Sequence, residues 1–159
     1  MKRKISAVLA GILMAASLTA CGTDPKIAQF EREMEDFCSS VAELNESINN
    51  IDAEADNAVE LALDYLDQLD KQFQDFAEMD FPEEFDYMES LADEAGKYMK
   101  EAVESYHSAY ADEGYDEETA AYARENSARA FKRVQVILDI LHGTDPTADS
   151  ESDEDTGNK

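Results

Sequence analysis

Positive charge is scarce in this chain. Its 159 residues hold 13 Lys and Arg against 38 Asp and Glu, a net charge of −25 with His neutral. A surface of that sign repels nucleic-acid phosphates and anionic lipid headgroups, which argues against nucleic-acid binding. Chain breakers are scarce too. With three prolines and six glycines in all, neither residue occurs between Pro25 and Pro82. No segment alternates apolar and polar residues with period two, so no sheet is expected. There are two cysteines and two histidines. Cys38 lies far in sequence from both His107 and His142. No set of nucleophile, base and orienting group can be assembled from these, and no enzyme is expected. A Gly-rich phosphate loop, a Cys-x-x-Cys-His haem attachment and paired Cys/His zinc spacing are all missing. No catalytic residue, cofactor or metal ligand is therefore assigned.

What remains is helical. Asp24-Pro25 reads as an N-cap followed by proline at the first helical position. Ile27, Phe30, Met34, Phe37, Val41, Leu44, Ile48 and Ile51 then recur at alternating spacings of three and four, an unbroken heptad seam. This predicts a first helix over 25–49. Asn49-Asn50 is the one break signal before residue 81, and Asp52 can cap a second helix over 52–80. That helix would bury Ala55, Val59, Ala62, Leu66, Leu69, Phe73 and Phe76. A single continuous helix of about 55 residues would span about 83 Å. It would leave too much apolar seam uncovered, so the break is preferred.

Phe81-Pro82-Glu83-Glu84 restarts the chain, with glutamates at the positive end of a third helix over 82–112. Its core face would hold Met88, Leu91, Ala95, Tyr98, Ala102, Tyr106 and Ala109, widened by Met99, Val103 and Tyr110. Gly114 ends it and Asp116 caps a fourth helix over 116–142, with Thr119, Ala123, Ser127, Ala130, Val134, Ile137, Leu138 and Leu141 inward. Four long helices with short connections imply an all-α, antiparallel up-down four-helix bundle over 25–143. The tail, 144–159, is acidic, lacks large apolar residues and is expected to be disordered.

The first 21 residues follow a different logic. Lys2, Arg3 and Lys4 precede an apolar run from Ile5 to Leu18, which is shorter than the roughly 20 residues a membrane span needs. Thr19 and Ala20 then lead to Cys21. This is the layout of a secretory signal. It resembles bacterial lipoprotein precursors, whose lipobox Leu-x-small-Cys is filled here by Leu18, Thr19, Ala20 and Cys21. The resemblance implies removal of a signal peptide at 1–20 and lipidation of Cys21, followed by a tether over 21–24. It implies attachment to the membrane through acyl chains on Cys21, facing outside the cytoplasm. Several acyl chains, at ~0.8 kcal/mol per buried CH₂, hold a domain far better than one. Cleavage removes three basic residues and no acidic one, so the mature chain carries −28. With Cys21 acylated, Cys38 is the one free thiol and no intramolecular disulfide forms.

Few constellations in the chain suggest chemistry. Glu104-x-x-His107 and Asp139-x-x-His142 spell the carboxylate–histidine pairs of di-iron bundles. The turn near Gly114 sets His107 level with about residue 122, roughly 30 Å from His142. Neither pair centres on its apolar face. Asp112-Glu113-Gly114-Tyr115-Asp116-Glu117-Glu118 is acidic but lacks the twelve-residue frame of a calcium loop. Tyr106, Tyr110, Tyr115 and Tyr122 gather at the end farthest from the anchor, and tyrosine suits binding surfaces. Tyr106 and Tyr110 also lie near the core face. Arg124, Arg129, Lys132 and Arg133 concentrate four of the ten mature cations, which suits packing beside acidic helices. The expected function is a non-catalytic interaction or structural module of the cell envelope with a protein partner. The alternative is low-affinity divalent-cation binding through the acidic helix faces.

Overall fold

The computed structural model describes residues 24–111 and 114–143. The segment expected to be a signal peptide, Cys21 and the acidic tail lie outside the described residues. Among the described residues the protein is all helix and no strand occurs. Helix α1 spans Pro25–Asn49, α2 Ala58–Ala77, α3 Glu89–Tyr110 and α4 Glu117–Leu141.

Helix α1 keeps the expected bounds because both ends are chemically marked. Asp24 accepts a hydrogen bond from the Lys26 N–H at 2.9 Å, and Pro25 opens the first turn. At the other end the Asn50 N–H returns to the Glu46 carbonyl. Asn50 then leaves the helical region and the next helix starts at Ala58, which rules out the long continuous helix.

Two starts are later than expected. Helix α2 begins at Ala58 rather than near Asp52. The Asp52 carboxylate does accept the Glu54 N–H at 3.0 Å, and the Ala55 N–H bonds to the Asp52 carbonyl. This closes a local turn instead of a helix, a competition that short acidic side chains commonly win. Helix α3 begins at Glu89 rather than 82, after a 3₁₀ turn at Asp86–Met88. The delay serves burial. Phe81, Pro82 and Met88 are buried, and the Phe81 and Phe85 rings lie 5.0 and 5.7 Å from Phe30. The segment wraps over the end of α1 before its helix can begin.

Each helix packs along its neighbour in the chain, α3 and α4 most closely, while α1 and α4 do not approach along their lengths. Ascending positions meet descending ones. Asp67 and Gln74 of α2 bond to His107 and Gly96 of α3. Glu94 and Glu101 of α3 bond to Arg133 and Asn126 of α4.

The core faces are broader than the apolar pattern implied. Ala92, Gly96, Ala120 and Asn126 are buried, whereas Leu91, Tyr98, Thr119 and Leu141 sit at the edge. Small residues turn inward because they let helices approach, which displaces larger ones to the flanks. At Gly96 an added Cβ would stand 3.1 Å from the Ala77 Cβ and 3.3 Å from the Phe73 carbonyl oxygen. Asn45 is also buried, and neither its amide oxygen nor its nitrogen has a partner among the described residues. An unpaired buried polar group costs about 1–3 kcal/mol.

Candidate binding surface at the α3–α4 end

The turn between α3 and α4 is held by Asp116. Its carboxylate accepts the N–H groups of Glu118 and Thr119 at 3.0 and 3.2 Å and the Thr119 hydroxyl at 2.8 Å. These bonds hold its carboxyl below the usual carboxylate range, the Thr119 hydroxyl contributing most. The Asp116 N–H donates to the Ala109 carbonyl at 3.0 Å, which pins the start of α4 to the end of α3.

The four tyrosines singled out above gather around this turn but play different parts. Tyr106 is in the core, where burial pushes its phenol up against the opposing influence of Arg124 and Ser127. Tyr110 is half-buried and its ring lies 5.1 Å from Tyr115. Tyr115 and Tyr122 are 39% and 50% exposed, and the one other large apolar side chain this open among the described residues is Tyr87. The Arg124 guanidinium donates to the Tyr115 hydroxyl at 3.4 Å. On the flank, the Tyr122 hydroxyl and the Asn126 amide both donate to one Glu101 oxygen at 3.4 Å. Glu101 and Asn126 were not foreseen. Counting outward from the turn would have set them level on facing helices.

The remaining candidates do not converge with this group. His107 is exposed and pairs with Asp67 on α2 at 2.7 Å. His142 is exposed at the end of α4. Burial raises the Asp70 carboxyl, the Gln74 hydrogen bond and Lys100 oppose it, and Glu104 and Asp67 add smaller upward pushes. Among the described residues no group of three or more His, Cys, Asp and Glu is disposed to hold a metal ion. Arg129 and Arg133 stand 5.7 and 5.8 Å from the Tyr98 ring centre and bond to Glu125 and Glu94. These cations are therefore engaged within the fold. Cys38 is half-buried against the core, and burial and then Glu35 push its thiol up to about 11. A thiol held that high is poorly nucleophilic.

Comparison with protein-family models, curated proteins and solved structures finds no match. No described helix is long and apolar enough to cross a membrane. What distinguishes the end of the α3–α4 hairpin is chemical: aromatic rings with polar tips and a guanidinium, half in solvent.

Proposed function

We propose that the protein is a lipid-anchored lipoprotein of the bacterial envelope, facing outside the cytoplasm. Its antiparallel up-down bundle acts as a non-catalytic interaction module that takes a protein partner at the Tyr115–Tyr122–Arg124 tip. The observation that carries the reading is the exposure of Tyr115, bonded to Arg124, and of Tyr122 near the same turn. Tyrosine and arginine dominate the energetics of protein interfaces because each combines a broad apolar face with a polar tip. The descending order of contacts between successive helices supports the up-down arrangement. In it, the end of α1 at Pro25 is next to the tether and the α3–α4 turn is farthest from it.

The anchor rests on Leu18-Thr19-Ala20-Cys21. Its test is the intact mass of the protein extracted from membranes. A mature chain starting at Cys21 with added diacylglyceryl mass is expected, and Cys21→Ser moves the protein out of the membrane fraction. Unmodified protein in the soluble fraction would remove the anchor from the account.

A further inference from the structure

Every side-chain bond that joins two helices among the described residues links α2 to α3 or α3 to α4. Asp67 meets His107 and Gln74 meets the Gly96 carbonyl. Glu94 meets Arg133, and Glu101 meets Tyr122 and Asn126. Helix α1 has no such link. Its own side-chain bonds run from Gln29 to Glu33 at 2.8 Å and from Ser47 to the Glu43 carbonyl at 2.9 Å, with the cap at Asp24. Among the described residues, the contacts that hold it to the other helices are those of its apolar side chains.

That contact is uneven along the helix. Phe30, Met34 and Phe37 fill its first half, and the Phe37 ring stacks on Phe76 at 4.4 Å. Past Val41 the seam holds half-buried Leu44, Ile48 and the unpartnered Asn45. The connection that follows, 50–57, closes its hydrogen bonds within itself and onto the ends of α1 and α2.

We propose that the second half of α1, Val41–Asn49, opens from α2–α3–α4 as a unit, hinged on the phenylalanine end, while the other three helices stay folded. Apolar contact is non-directional, so this opening breaks no bond between helices. It also brings the Asn45 amide, which has no partner among the described residues, into solvent, which lowers the cost of opening. The opened state uncovers apolar α2 surface at the height of Ala62 and Leu66, at the same end of the molecule as the exposed tyrosines. The opening does not depend on the anchor or on any partner.

Hydrogen exchange of the full chain, read by mass spectrometry, tests it, since local openings appear as segments with their own exchange rate. The expected result is exchange of amides 41–49 at least about tenfold faster than amides 123–138 of α4. Asn45→Leu, which removes the unpaired amide, slows exchange of 41–49 by about tenfold and leaves α4 unchanged. Val41→Ala, which only thins the contact, speeds exchange of the same amides alone. Protection of 41–49 equal to that of α4 overturns the proposal. So does either variant shifting α4 as much as α1, or neither variant shifting α1.

Discussion

All seven phenylalanines of the chain lie toward the end of the bundle where α1 begins, and five of the seven tyrosines lie toward the other end. At the first end Phe30, Phe37, Phe73, Phe76, Phe81, Phe85 and Phe131 form one connected chain of ring contacts. At the second the core is lined by Ala58, Ala62, Ala102, Ala109, Ala120 and Ala123, with Asn45, Asn126 and Ser127 among them. The difference is one of physics as well as composition. Interlocked rings bury large area and hold the helices apart by their bulk. Small residues bring α3 and α4 together and leave polar side chains to fill the seam. A phenylalanine has nothing to offer water, whereas a tyrosine can stand half out of the core. One end is thus closed by interlocked rings, and the other carries exposed rings with polar tips.

Removing a central ring should have the largest effect. Phe73 meets Phe37 and Phe131, each at 5.4 Å. Phe73→Ala is expected to cost about 3–5 kcal/mol in denaturant unfolding. The alanine end should fail in the opposite way, through excess volume. Ala123 has no exposed surface, so Ala123→Leu is expected to cost about 1–3 kcal/mol.

Polar stitching should contribute less again. Glu94 and Arg133 bridge α3 and α4 with 47% and 30% of their side chains exposed. A double-mutant cycle with Glu94→Gln and Arg133→Met should return a coupling of about 0.2–1 kcal/mol, reduced by added salt. A pH-dependent effect is expected at Asp116. Its carboxyl is held below the ordinary value by bonds made in the folded state. Its contribution is therefore present above the unfolded carboxylate pKa of about 3.9 and is lost as pH falls through the lower folded value. Asp116→Ala should lower the melting temperature at neutral pH and flatten that part of the stability profile.

Much of the fold was legible where residues announce their own geometry. Asp24-Pro25 and Asp116 cap α1 and α4 as expected, and the heptad seam of α1 places Phe30, Met34, Phe37, Val41 and Ile48 inward. The starts of α2 and α3 were not legible. There Asp52 made a local turn, and Phe81 and Phe85 wrapped over a neighbouring helix, outcomes decided by partners distant in sequence. Nor could apolar spacing reveal Gly96, Asn126 or Asn45 in the core, because a small or polar residue is drawn inside by what faces it. The tyrosine tip was half legible: its members were named, but the split between buried Tyr106 and exposed Tyr122 depends on the packing of α3 against α4.

The proposed partner is expected to meet the tyrosine end and not the phenylalanine end. Tyr122 and Tyr87 provide a matched pair, 50% and 59% exposed at opposite ends. The direct measurement replaces each in turn with a photo-crosslinking phenylalanine analogue in the full-length protein within its own cells. A discrete crosslinked protein is expected from position 122 and none from position 87. Crosslinking from 87 with none from 122 would contradict it.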